Sequence, residues 1–414
     1  LSVLKRKSQL RKKQNQKPKP KQSRRQPKRN KKMCLDLFEP VDEAVFGVSV
    51  LLPKQVLGKK IKVHTKSQGL PELTDVTIAL FGVNENRNGF FTSTAYEMDE
   101  FRRQFYQLYP GNWSVEVADL GDLPNGDTPE DSYFAIKEAC ITLKQMDIIP
   151  IIIGGTQDLT VAAYRSFENA KQWVNMVSID NRFDFSQDED LISGKSYMSK
   201  IIMENPSYLY NYTNIGYQSY LIAQEELDLM EKLFFESIRL GSVLDNNQVT
   251  EPAFREADIA SFDMKSLRSS SDGTYVHGAP NGIDSRTICA LSRYAGISDR
   301  LSLAGFFDLP NNMLFHKLLA QVIWYFIEGV NCRFGEYPVN TSQNFKRYTV
   351  AMSDREMVFH QSEKSGRWWI ELQNENYLDN KSKSKTLLSC MHQDYVDACN
   401  DILPDRWWKA TKRG

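Results

Sequence analysis

No apolar run in this sequence approaches the ~18 consecutive residues that a membrane-crossing helix needs. The richest stretch, Leu318 to Ile327, is short and carries Gln321 in its middle, so no membrane partner is expected. Cysteine is also sparse. The six residues Cys34, Cys140, Cys289, Cys332, Cys390 and Cys399 are scattered, with no Cys-x-x-Cys pair. That excludes a zinc ribbon, and Cys140 and Cys289, in apolar-periodic surroundings, read as buried thiols. A reducing, cytoplasmic compartment is the expectation. Gly-x-Gly-x-x-Gly, the Walker phosphate loop, Gly-x-Ser-x-Gly and His-Glu-x-x-His are all missing, which removes the commonest dinucleotide, nucleotide, serine-hydrolase and zinc-protease signatures.

Acidic residues are absent from positions 1–32, which hold 15 of the 52 Lys/Arg. The formal net charge of zero therefore averages two unlike segments, because residues 33–414 carry 37 basic against 52 acidic side chains. The first 32 residues are too polar and Pro/Gln-rich to build a core. Two readings stand for them. One is an arm that binds RNA or another polyanion through phosphate contacts. The other is a disordered extension foreign to the native protein, since Met33 opens a sensible start. A basic stretch with no apolar core after it is not a secretory signal.

What the sequence does contain, from about residue 75, is short β-branched runs alternating with longer amphipathic ones. Val76–Val83, Trp113–Ala118, Ile148–Ile153, Val174–Ile179, Ser237–Leu240, Ile259–Phe262 and Leu301–Phe307 read as strands. Met98–Leu108, Ser132–Met146, Ile283–Tyr294 and Met313–Gly329 read as helices. Alternation over some 230 residues predicts a mostly parallel sheet with helices on both faces, whose ligands sit beyond the carboxyl ends of the strands. After about residue 335 the pattern changes to short antiparallel strands (347–352, 358–361, 368–372), a polar linker at 379–385 and a last helix, 392–400. Two Arg-Trp-Trp triplets, at 367–369 and 406–408, read either as an exposed surface for a protein partner or as packing that seats the C-terminal piece. The expected organisation is a basic extension (1–32), a lead-in (33–74), an α/β domain (75–334) and a C-terminal extension (335–414).

Three segments each place polar residues directly after a buried strand: Gly154-Gly-Thr-Gln-Asp158, Ser178-Ile-Asp-Asn-Arg-Phe-Asp184 and Ser261-Phe-Asp-Met-Lys265. Asp180 and Asp184 are four residues apart, and Asp263 comes from another strand end. Three converging carboxylates are costly unless a cation, metal or side chain, neutralises them.

In order and spacing these segments resemble the ureohydrolases, the arginase–agmatinase–formimidoylglutamase family, with Gly-Gly-Asp-His-Ser, Asp-Ala-His-x-Asp and Ser-Phe-Asp-x-Asp at the same places. Phe101-Arg102, Asp119-Leu-Gly-Asp122, Ile149-Pro-Ile-Ile-Ile-Gly-Gly155 and Gly278-Ala-Pro-Asn-Gly-Ile283 extend the likeness over roughly residues 75–330, nearest to the formimidoylglutamase-like branch. The resemblance implies a three-layer α/β/α arginase-like domain. It also implies chemistry in which two Mn²⁺ ions activate a bridging hydroxide that attacks a guanidinium or formimino carbon.

The chain departs from that pattern at the ligands. Asp180, Asp184 and Asp263 stand at carboxylate positions, but Gln157 and Arg182 replace the two histidines and Lys265 replaces an aspartate. Neither Arg nor Lys can ligate Mn²⁺. One metal position would thus keep Asp180, Asp184, Asp263 and the Gln157 carbonyl oxygen, a set suited to a single hard cation such as Mn²⁺, Mg²⁺ or Ca²⁺. The other loses both of its private ligands. The family's substrate-binding glutamate falls at Thr287, and residues 185–200 offer no histidine; His277, in the loop after the third motif, is the nearest. The expectations are an arginase-like protein without binuclear catalysis, acting through a protein partner or as a homo-oligomer, with an internal salt-bridge cluster of Asp180, Asp184 and Asp263 with Arg182 and Lys265. The alternative is an amidine C–N hydrolase using the single remaining metal position.

Overall fold

A computed structural model describes residues 35–89, 95–168, 173–186, 192–269, 279–372 and 387–413. The basic segment 1–32, His277 and the polar linker 379–385 lie outside the described residues.

Nine strands form one sheet: β1 (Lys62–Val63), β2 (Val76–Val83), β3 (Glu116–Leu123), β4 (Ile149–Ile153), β5 (Val174–Ile179), β6 (Leu209–Tyr217), β7 (Glu236–Arg239), β8 (Ile259–Asp263) and β9 (Leu303–Phe307). Their order is β1-β3-β2-β4-β9-β8-β5-β6-β7, and every neighbouring pair is parallel. Side chains of a strand alternate between faces, and here both faces are apolar. Ile78, Leu80, Ile151 and Ile153 pack with helices Met98–Phe105, Ser285–Ile297 and Met313–Asn331. Ala79, Phe81 and Ile152 pack with helices Pro129–Lys144, Thr160–Arg165 and Tyr197–Met203. The result is the expected three-layer α/β/α arrangement. Cys140 and Cys289 are buried free thiols, one on each side.

Local chemistry sets the element ends. Thr128 caps helix Pro129–Lys144 by accepting from the Asp131 N–H while Asp131 returns to Thr128, with Pro129 in the first turn, so the helix starts three residues before the expected Ser132. Strand β3 runs on to Leu123 rather than stopping at Ala118, because Asp119 is buried against an arginine instead of ending the strand. Helices Ser285–Ile297 and Met313–Asn331 cross at two glycines. A Cβ on Gly296 would lie 2.0 Å from the Phe326 carbonyl oxygen, and one on Gly329 2.5 Å from that of Arg293. Gly296→Val is accordingly expected to force the pair apart and cost about 1–3 kcal/mol, measured as a lowered urea midpoint. An unchanged midpoint would show that the crossing is loose.

The C-terminal unit is a four-stranded antiparallel sheet of β10 (Phe345–Ala351), β11 (Glu356–Ser362), β12 (Trp368–Glu371) and β13 (Leu387–Cys390). Two helices follow, His392–Cys399 and Asp405–Arg413. Three of the four triplet tryptophans, Trp368, Trp369 and Trp407, are buried, and only Trp408 is exposed. The seam with the main sheet is ionic. Arg255 donates to the carbonyls of Trp368 (3.0 Å) and Cys390 (2.7 Å), and Arg406 meets Glu236 at 2.6 Å. The triplets therefore seat this unit on the domain, which answers the choice between surface and packing for all but Trp408.

Candidate functional site

The strand order brings four ends together at the carboxyl rim, β4, β9, β8 and β5. At the end of β4, Gly154 and Gly155 take φ of +99° and +69°. A Cβ at Gly154 would sit 2.3 Å from the Val83 carbonyl oxygen, so only glycine allows this turn. The turn buries Gln157, whose backbone N–H donates to Asp308 Oδ2 at 3.0 Å and whose Nε2 donates to Ser178 Oγ at 3.2 Å. Asp158 is buried beneath it, accepting from Tyr133 Oη and Thr156 Oγ1, both at 2.5 Å. Burial raises this carboxyl to about 7 despite the two hydrogen bonds, with the negative field of Asp308 adding to the rise.

At the end of β5, Asp180 Oδ1 accepts the Arg182 N–H at 2.8 Å. The chain then turns so that Asp184, at φ +56°, faces back toward it. Both carboxyls are buried and act directly on each other. Burial pushes Asp180 far above the ordinary carboxylate range, with Asp184 adding to it. Burial likewise raises Asp184 to about 7, partly offset by Asp180. Asp180 Oδ2 is a buried oxygen with no hydrogen-bond partner at normal geometry among the described residues. At the end of β8, Asp263 Oδ1 accepts the Lys265 N–H at 2.8 Å. Burial, then the charges of Asp180 and Asp308, hold this third carboxyl well above its usual range.

Lys265 completes the rim. Its Nζ lies 2.5 Å from Asp308 Oδ1. Burial alone would push the ammonium down, but Asp308, Asp263 and Asp184 together hold it above its ordinary value. Asp308 leaves β9 with φ +55°, a left-handed conformation that a non-glycine residue adopts at a cost and that clusters at functional sites.

Two site expectations need correction. Arg182 does not enter the cluster: its side chain is exposed and donates to the Leu221 carbonyl at 3.1 Å. Only its backbone touches the site, and its charge reaches Asp184 from outside. Gln157 turns its amide N–H toward Ser178 and Asp180, so the carbonyl oxygen is not the group facing the carboxylates. Thr287 sits in the first turn of helix Ser285–Ile297, its N–H taken by Asp284, and among the described residues it makes no hydrogen bond to the cluster. Asp308 lies outside the three motifs but follows the same rule, a polar residue straight after a buried strand.

The donor set does not fit a pair of manganese ions. Gln157, Asp180, Asp184 and Asp263 are present, but an ammonium occupies the space between the ends of β8 and β9. Among the described residues no three His, Cys, Asp or Glu are grouped so as to hold a metal ion.

A nine-stranded parallel sheet between two helical layers, with its acidic strand ends gathered at one rim, defines an α/β protein of the kind that builds its site at the carboxyl edge. The chain belongs to the arginase family, whose profile matches residues 78–290, just over half of its length. Solved structures agree on the fold. Trypanosoma cruzi formiminoglutamase with Mn²⁺₂ superimposes with TM-score 0.57 at 16% identity, over 67% of this chain and 99% of that one. Formimidoylglutamase from Bacillus subtilis gives 0.55 at 13% identity, over 64% and 93%, and agmatine ureohydrolase of Thermoplasma volcanium 0.53 at 16%, over 70% and 98%. No curated protein sequence matches the chain. No helix among the described residues is long and apolar enough to cross a membrane.

Proposed function

We propose that this protein is an arginase-family scaffold without binuclear manganese hydrolysis, acting by binding a protein partner or a second copy of itself. The observation that carries this reading is the Lys265 ammonium, 2.5 Å from Asp308 and in the field of Asp263 and Asp184. Two-metal hydrolysis needs two Lewis acids to create and aim a hydroxide at neutral pH. A lysine among the same carboxylates neutralises them but activates no water. Its charge also repels any divalent ion that approaches.

The competing reading keeps one ion at Asp180, Asp184 and Asp263 and hydrolyses an amidine C–N bond. It draws on the three carboxyls, which are buried and lie in one another's electrostatic field. Both are tested on protein incubated with excess Mn²⁺ and desalted. Metal content would be measured together with urea, ammonia or formamide release from arginine, agmatine and N-formimidoylglutamate. The expected result is no retained manganese and no release. About two ions per chain would sink the scaffold reading, and one ion with release lost in Asp263→Ala would establish the competitor.

A further inference from the structure

Two cationic side chains replace ligands in this site, and the structure separates their roles. Arg182 projects outward to the Leu221 carbonyl, and what it contributes to the rim is its backbone N–H, donated to Asp180. Any residue except proline could make that bond. Lys265 is mostly buried, with its Nζ in contact with Asp308. Its charge acts on acidic groups from three strand ends: Asp308 of β9, Asp263 of β8 and Asp184 of β5. Buried carboxyls gathered in this way need protons or a compensating cation. A lysine ammonium is a compact point charge on a flexible stem. Tethered in place, it competes with a free ion at a high effective concentration.

We propose that Lys265 is the built-in cation of the rim and that it alone bars a divalent ion. Asp180, Asp184, Asp263 and Asp308 are not grouped as a metal site with the ammonium in place; with it removed, they are expected to draw together around one hard divalent cation, Mn²⁺, Mg²⁺ or Ca²⁺. Arg182 has no part in the exclusion. This inference rests on the reading that the natural chain retains no manganese.

The test compares the full chain with Lys265→Gln, Lys265→Asp and Arg182→Gln, using MnCl₂ as the probe. Bound Mn²⁺ is followed by calorimetry and by loss of the free-ion electron-paramagnetic signal, and folding by circular dichroism with and without the ion. The expected outcome is that both Lys265 variants bind about one Mn²⁺ per chain, at least about tenfold more tightly than the parent. Arg182→Gln should bind no better than the parent. A Lys265 variant that folds only when Mn²⁺ is present supports the proposal, because the ion then replaces the lost ammonium. A Lys265→Gln protein that is folded yet binds no more tightly than the parent overturns it. So does one that stays unfolded with the ion, or an Arg182→Gln protein that gains equal affinity. If the parent retains manganese, this inference falls, and at about two ions per chain the scaffold reading falls with it; if parent and Lys265 variants alike are metal-free, only the present inference fails.

Discussion

Arg102→Ala is expected to lower the free energy of unfolding by about 3–5 kcal/mol, the usual cost of removing one partner from a buried ion cluster. Arg102 is fully buried. Its Nε and Nη2 donate to Asp119 at 3.0 and 3.2 Å, and its Nη1 and Nη2 to Asp122 at 3.1 and 2.7 Å. Tyr106 Oη adds a bond to Asp119 at 2.8 Å. Deleting the guanidinium leaves Asp119 buried with the Tyr106 hydroxyl and the Gly121 N–H as its donors, too few for an ionised carboxylate. Arg102→Lys should recover only part of the loss, because an ammonium cannot bridge two carboxylates with a planar fork. Chemical denaturation of the three proteins reads this directly. A loss below about 1 kcal/mol for the alanine variant would show that water or a rearranged strand end replaces the arginine.

That same cluster shows why much of the fold was legible. Phe101-Arg102 and Asp119-Leu-Gly-Asp122 stood out as separate fragments of a family likeness, and the fold makes them one contact. Gly82 leaves the room, since a Cβ there would fall 2.1 Å from Asp122 Oδ1. Strands β2, β4, β5 and β8 were readable because each is a dense apolar run that stops at a polar cluster. Strand β6 was not, because its buried positions on both faces include Asn211, Thr213 and Asn214, which break the hydrophobic pattern. The Asn211 side-chain N–H donates to Glu236 on the neighbouring strand at 2.9 Å, a partner that only the fold supplies.

The site was legible in composition and not in direction. Sequence spacing places Asp180, Asp184, Asp263 and Lys265 at strand ends, and the strand order sets the ends of β5 and β8 side by side. It also placed Arg182 with them, because charge says nothing about which way a side chain leaves a turn. Asp308 stayed hidden for a topological reason: β9 lies between β4 and β8, although it comes last of the nine in sequence. No local spacing announces that insertion.

The carboxyl cluster sets the last expected result, a stability maximum in mildly acid solution. Measured with a chelator present, stability should be greatest near about pH 4 and fall as pH rises toward 8. The sign follows from which state holds more protons. Asp184 and Asp158 bind a proton up to about pH 7 in the folded chain, against an ordinary 3.8. Between these values the folded state keeps protons that the unfolded state releases. The stability they contribute is complete below 3.8 and is lost as pH climbs through 7. Glu236 works the other way. Burial opposes its ionisation, but Arg406 and Arg413 hold it down to about 2, from 4.5. Its contribution is present above 4.5 and disappears as pH falls toward 2, so the two trends enclose an optimum. For Asp184 alone the alkaline loss is on the order of 4 kcal/mol. Asp184→Asn should therefore match the parent near pH 4 and exceed it by a few kcal/mol at pH 8. A site built around a bound divalent ion would behave oppositely, since its carboxylates must ionise to hold the ion. Stability that rises from pH 5 to 8, or that rises only when Mn²⁺ replaces the chelator, would mean that the acidic rim still waits for a metal and that the lysine has not taken its place.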